Sequence, residues 1–288
     1  MTEFVEIFEV GPRDGLQNEA RAIPVAEKIA LVDQLSLCGF QRIEVASFVS
    51  PKWVPQMADG AGVLAGLRRM SGIGYWALTP NQLGLDDALV AKADGVAVFG
   101  AASEGFSRAN INATIDDSLA RFRPLVAHAR ARDLPVRGYV SCVVSCPYDG
   151  AVAPGSVARV AAALWDMGCT EISLGETLGQ AFPEDIDPML AAVRNEVPAA
   201  ALAGHFHDTG GRALANIDVA LAHGLRIFDG AVGGLGGCPY APGAAGNVDT
   251  VAVAKHLSDR GYHTGLDIDK LHRAADYARS LRGQEHRP

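Results

Sequence analysis

The sequence predicts a single-domain (β/α)8 TIM barrel. Two observations predict it: eight short apolar runs with helical stretches between them, and a helix–glycine–strand rhythm. The rhythm recurs roughly every 30–40 residues, the length of a βα unit. The first run is FVEIFEV (4–10), followed by RIEVASFV (42–49), IGYWAL (73–78) and GVAVFGAA (95–102). VRGYVSCVV (136–144), EISLGE (171–176), ALAGHFH (201–207) and RIFDGAVGG (226–234) complete the set. Between them, VAEKIALVDQLSLCG (25–39) places Ile29, Val32, Leu35 and Leu37 near one helical face. The stretches 118–133, 156–168 and 213–224 repeat that pattern. Helices hand over to strands at CGFQRIEV, MGCTEISL and HGLRIFDG, where glycine suits a left-handed C-cap. Eight strands close a barrel. No G-x-G-x-x-G follows the first run, which counts against a doubly wound open sheet. No linker divides residues 1–288, and DKLHRAADYARSLRG, at about 268–283, reads as a last helix packed on the outside.

Composition narrows the function classes. Hydrophobic residues make up 49% of the 288, enough for a large core, and the net charge of −8 argues against a nucleic-acid surface. Five cysteines, Cys38, Cys142, Cys146, Cys169 and Cys238, are an odd and scattered set. Most of them read as small buried hydrophobes, in a reducing compartment. Cys142 and Cys146 form a C-x3-C pair without the second pair a structural zinc site needs. MTEFVEIFEV lacks a targeting pattern, and no run reaches the ~18 apolar residues of a membrane span. The expectation is a cytoplasmic protein.

In such a barrel, chemistry sits at the C-terminal ends of the strands. The seventh run ends in His205-Phe206-His207-Asp208. Residues two apart on a strand share a face, so the two imidazoles point together and Phe206 points away. They are half of a divalent-metal site, or two independently hydrogen-bonded histidines. The first run leads into Gly11-Pro12-Arg13-Asp14-Gly15. Asp14 offers a hard oxygen ligand, and Arg13 a planar cation for a carbonyl that gains charge. The alternative is an Asp-Gly turn with Arg13 paired to Asp14. Glu44, inside the second run, and Glu176, at the end of the sixth, are costly in apolar strands unless paired. Each is an orienting group for the site or half of an internal salt bridge.

After the eighth run comes GLGGCPYAPGAAGN (234–247), with five glycines among fourteen residues around Cys238. It reads as a loop that folds over the site and delivers a proton-transfer thiol. It ends on Asn247, whose amide carbonyl is a neutral oxygen ligand. Asp14, His205, His207 and Asn247 together suit Mg2+ or Mn2+ with positions left for a chelating substrate; zinc is the alternative.

The segments EVGPRDGLQNE (9–19), EVASFVSPKWVPQM (44–57), VFGAASE (98–104), RGYVSC (137–142), EISLGET (171–177), HFHDT (205–209), ALAN (213–216) and GLGGCPYAPGAAGN (234–247) resemble the 3-hydroxy-3-methylglutaryl-CoA lyase family. That family stands within the metal-dependent lyases and synthases that include isopropylmalate and homocitrate synthases. The resemblance implies retro-Claisen cleavage of a 3-hydroxyacyl-CoA, giving acetyl-CoA and acetoacetate in the parent reaction of leucine catabolism. It implies metal ligation by Asp14, His205, His207 and Asn247. It makes Arg13 the catalytic arginine and Cys238 the reactive loop cysteine. Asp14 or His205 serves as base, Glu44 is the motif glutamate, and a homodimer or larger assembly is implied. Two departures bear on substrate: SLGET stands where the family commonly has SLGDT, and Gly210 and Arg212 stand where HDTYGQALAN is usual. They leave open a same-class lyase for citramalyl-CoA or a longer branched hydroxyglutaryl-CoA. A Claisen-type synthase and a non-catalytic metal-binding barrel are weaker alternatives. Lys52 and Arg108 are the basic candidates for the CoA phosphates.

Overall fold

The computed structural model describes residues 2–238 and 241–282, without the side chains of 237, 238 and 241–245. Eight parallel strands close a barrel in sequence order. They are β1 (Glu6–Glu9), β2 (Arg42–Ser47), β3 (Gly74–Leu78), β4 (Gly95–Ala101), β5 (Val136–Ser141), β6 (Glu171–Glu176), β7 (Leu202–Phe206) and β8 (Ile227–Gly230). All eight lie inside the apolar runs. Parallel neighbours need a crossover, and each gap supplies at least one helix. The helices are α1 (Val25–Ser36), α2 (Gly60–Gly66), α3 (Gln82–Val90), α4 (Glu104–Ile111), α5 (Ile115–Arg130), α6 (Pro154–Met167), α7 (Pro183–Arg194), α8 (Ala213–Ala222) and α9 (Thr250–Asp259). A last helix, α10 (Ile268–Ser280), packs on α1 and on the turn after β8. There the positive φ of Gly233 and its close approach to Ala275 of α10 leave no room for a side chain. Among the described residues no helix is long and apolar enough to cross a membrane.

Strand alternation sorts the core from the lumen. Ile7, Ile43, Val96, Val98, Val136, Val140, Ile172, Leu174, Leu202 and Phe206 face the helices and join one hydrophobic cluster. Burying each such side chain contributes ~1.5–3 kcal/mol. The alternate positions point inward, and in most barrels they carry branched aliphatics. Here they are largely charged and aromatic. The Arg137 guanidinium lies 4.1 Å from the Phe8 ring centre, and Arg42 lies 4.9 Å from the same ring, on strands from different sides of the lumen. A bulge in β2 breaks the alternation: Glu44 pairs with Trp76 and Ala46 with Ala77, leaving Val45 as the extra residue.

The stripe that α1 buries is Lys28, Leu31, Val32, Leu35 and Ser36; Val32 and Leu35 are on it as expected, Ile29 is only half-buried and Leu37 is off it. Leu37 caps the helix and is 54% exposed, because it lies two positions past Leu35 and so on the opposite face. Lys28 is buried because its ammonium reaches Asp59 Oδ1 at 2.7 Å and the Gln56 carbonyl, in the loop after β2.

Glu9, at the end of β1, brackets two loops. Its carboxylate accepts from the amides of Gly11 (2.8 Å) and Val232 (2.9 Å) and from the Thr250 hydroxyl (2.7 Å). Burial pushes its pKa up to about 8, against the Thr250, Val232 and Gly11 hydrogen bonds that lower it. Folded Glu9 keeps its proton to near pH 8, whereas the unfolded chain releases it above about 4.5. The protein therefore loses stability through Glu9 as pH rises through this window. Gln fits the same bracket, its carbonyl taking both amides and its NH2 facing the rotatable hydroxyl. Urea unfolding from pH 5 to 8 is expected to show Glu9→Gln gaining on the parent, by up to ~4 kcal/mol. A difference that does not change with pH would contradict a protonated Glu9.

Candidate metal centre and active site

The loop after β1 is a single π-helical turn, Gly11–Gly15. The amides of Asp14 and Gly15 both donate to the Val10 carbonyl, at 2.8 and 3.2 Å. Such wide turns recur at functional sites, and this one aims two successive side chains, Arg13 and Asp14, at the barrel mouth. Two strands along from β1, β7 delivers His205 inward and Phe206 into the helix-facing core, as alternation requires. The chain returning from β8 is zipped onto the end of β7. His207 and Asn247 form an antiparallel bridge, and the Asp208 amide donates to the Gly246 carbonyl at 2.7 Å.

These elements bring Asp14, His205 and His207 together, with one potential ligand atom from each lying within 4.8 Å of the others. Asn247 joins them, its Nδ2 donating to Asp14 Oδ2 at 2.7 Å. The histidine ring centres are 5.3 Å apart. Arg13 sits alongside, Nη1 donating to Asp14 Oδ1 and Nε to Glu44 Oε2, both at 2.5 Å. Among the described residues Nη2 carries no bond. Tyr139 donates from its hydroxyl to the same Glu44 oxygen at 3.3 Å.

The electrostatics suit a cation. Burial pushes the Asp14 carboxyl up, but Arg13, then His205, the Asn247 amide and His207, outweigh it and hold Asp14 well below the usual carboxylate range. Burial and the neighbouring His205 lower His207 to about 4, so its ring is neutral at physiological pH. Burial also lowers His205, yet the hydrogen bond and charge of Asp229 raise it further, with Asp14 adding to them. His207 Nδ1 is buried and makes no well-formed hydrogen bond among the described residues, with only the Thr177 backbone close enough to favour its proton. Buried polar atoms are rarely left this way. An ionised carboxylate, a neutral imidazole with a poorly satisfied ring nitrogen, a second imidazole and an amide form a donor set that fits a divalent cation.

Glu176 is placed differently. Its carboxylate is buried at the end of β6, and neither oxygen has a hydrogen-bond partner among the described residues. Burial raises its pKa against nearby amides of the 178–181 turn. Its backbone, not its side chain, meets the centre, accepting the His207 amide at 3.3 Å. Backbone pairing joins Gly237–Cys238 to Ala241–Ala245. The Cys238 side chain lies outside the described residues. Lys52 and Arg108 are exposed, and Arg108 Nε lies 3.8 Å from Glu104.

Several polar residues of the lumen were not singled out in the sequence: Asp229, Arg137, Tyr139 and Ser173. Asp229 Oδ2 meets His205 Nδ1 at 2.9 Å and accepts from Ser173 Oγ at 3.2 Å. Arg137 Nη2 donates to Asp229 Oδ1 at 2.5 Å. For Arg137, Tyr139 and Ser173 the signal was present as polar residues at every second position of R-G-Y and E-I-S; Asp229 stands singly after the apolar Ile227-Phe228.

The profile of the HMGL-like family matches residues 4–277. The chain is 53% identical over 273 residues to hydroxymethylglutaryl-CoA lyase, mitochondrial, of Rattus norvegicus, covering 95% of this chain and 84% of that protein. It is 55% identical over 267 residues to a 3-hydroxy-3-isohexenylglutaryl-CoA/hydroxy-methylglutaryl-CoA lyase of Pseudomonas aeruginosa, covering 93% and 89%. The crystal structure of HMG-CoA lyase from Brucella melitensis matches with a TM-score of 0.96 at 57% identity, over 97% of this chain and 99% of that one.

Proposed function

Because the chain belongs to the HMGL-like family, we propose that it is a carbon–carbon lyase cleaving 3-hydroxy-3-methylglutaryl-CoA to acetyl-CoA and acetoacetate. The observation that carries this reading is the convergence of Asp14, His205 and His207 beside Arg13 at the barrel mouth. Asp14, His205, His207 and the Asn247 amide would hold Mg2+ or Mn2+, and such a cation supplies Lewis acidity that lowers the pKa of a bound hydroxyl.

The chain's own residues do the rest. Asp14 takes the proton of the substrate's tertiary hydroxyl, since both His205 nitrogens are committed, Nδ1 to Asp229 and Nε2 to the cation. The bond between the carbinol carbon and the thioester α-carbon then breaks, its electron pair passing into the thioester as an enolate. Arg13, with Nε and Nη1 committed to Glu44 and Asp14, presents Nη2 to the enolate oxygen. Glu44, fully buried, fixes the plane of that guanidinium. The Cys238 thiol returns a proton to the enolate carbon, completing acetyl-CoA, while the carbinol carbon leaves as the ketone of acetoacetate. The proposal extends to a cytoplasmic enzyme of leucine catabolism, assembled as a homodimer or larger.

The test is a coupled acetoacetate assay on chelator-treated protein, with a thiol reductant present. Acetoacetate and acetyl-CoA are expected in equal amounts on adding Mg2+ or Mn2+, and neither without a cation. The activity for which the Pseudomonas relative is named favours one further arm, a 3-hydroxyglutaryl-CoA with a longer 3-alkyl chain. Turnover of that ester alone would move the substrate assignment but not the reaction.

A further inference from the structure

The barrel lumen holds a continuous run of charged side chains that ends on His205. From the mouth inward, His205 Nδ1 meets Asp229 Oδ2 at 2.9 Å, and Asp229 Oδ1 accepts from Arg137 Nη2 at 2.5 Å. Arg137 Nε lies 3.0 Å from Glu171 Oε1. Glu171 Oε2 accepts from Arg42 at 2.8 Å, and Arg42 also binds Glu6, at 2.7 and 2.9 Å. The run touches six strands. Arg137 is 0% and Asp229 2% exposed, so the pair is out of reach of bulk solvent.

Charges this deep are costly to bury, and replacing them with apolar side chains of similar size is often neutral or stabilising. Stability therefore does not explain the run. Its formal charge does point to a purpose: three carboxylates face two guanidiniums, leaving one negative charge in excess. Its outer end, Asp229, touches a proposed ligand of the cation.

We propose that Asp229 is a positioning residue for the metal centre. Held on one oxygen by Arg137 and on the other by Ser173, it fixes the His205 ring with Nδ1 turned into the lumen. Nε2 is thereby left for the Asp14–His207 cluster before any cation arrives. Metal-bound histidines gain orientation and basicity from such partners. The inference rests on the cation reading above and adds the group that presets one ligand.

The test is Mn2+ titration by calorimetry of the metal-free parent, Asp229→Asn and Ser173→Ala. Asparagine offers one acceptor where Arg137 and His205 Nδ1 each need one, so one donor is left facing an NH2 group. Asp229→Asn is expected to bind Mn2+ ~10–100-fold more weakly, with Ser173→Ala losing less because both charged partners remain. A second reading needs no variant. Long-range 1H–15N spectra of the Zn2+-loaded parent should show the His205 proton on Nδ1. Unchanged affinity in folded Asp229→Asn, or a proton absent from Nδ1 in the loaded parent, overturns the proposal. A parent that binds no Mn2+ overturns the cation reading and this inference with it.

Discussion

Arg13→Gln is expected to lower kcat ~10²–10³-fold, the usual cost of losing one donor to a developing oxyanion, while still binding Mn2+. The two effects separate because Arg13 touches Asp14 but is not itself a ligand. Asp14 keeps its bond from Asn247, so the cluster stays assembled. A glutamine amide can still donate to Glu44, which would otherwise be a fully buried carboxylate without its 2.5 Å partner. Arg13→Lys should be almost as slow. A single ammonium cannot span Glu44 and Asp14 and also present a third donor, as the planar fork does. Steady-state acetoacetate formation paired with Mn2+ titration checks both variants. Near-normal turnover in Arg13→Gln would remove Arg13 from the mechanism.

The second large effect belongs to the histidines. His207→Ala and His205→Ala remove proposed ligands, not orienting partners, so Mn2+ affinity should fall by more than the ~10–100-fold cost of an orienting group. Turnover should drop to background at ordinary Mg2+ and recover in part at high Mn2+. His207 is the cleaner case, because its ring makes no ion pair and its Nδ1 makes no well-formed hydrogen bond among the described residues. His205→Ala also frees Asp229 beside Arg137. A His207→Ala protein with parental Mn2+ affinity would show that this nitrogen serves something other than a cation.

What the sequence revealed, and what it hid, follows from the range of each interaction. The eight strands and the facing of His205 against Phe206 rest on alternation and glycine caps, which are local. Asp14, Arg13 and Asn247 were legible because each stands at the end of a strand or loop, where a barrel puts its chemistry. The lumen was not legible in the same way. Arg137 and Asp229 are 92 positions apart, and Arg42 and Glu171 are 129 apart, so no window of sequence contains either pair. Glu9 was hidden for a related reason: its three donors come from two loops and a helix start brought together only by closure of the barrel. Leu37 misled because an apolar residue next to a helix end need not share the helix's buried face. Glu44 could be read as paired or orienting, and the pairing is visible, with Arg13 and Tyr139 both donating to it.

The central claim is that one divalent cation gathers four side chains at the barrel mouth, and a crystal soaked in Mn2+ tests it most directly. The anomalous peak should lie about 2.0–2.3 Å from a carboxylate oxygen of Asp14, a ring nitrogen of His205, a ring nitrogen of His207 and the amide oxygen of Asn247. A peak bound elsewhere, or one that leaves any of those four beyond bonding distance, would contradict it.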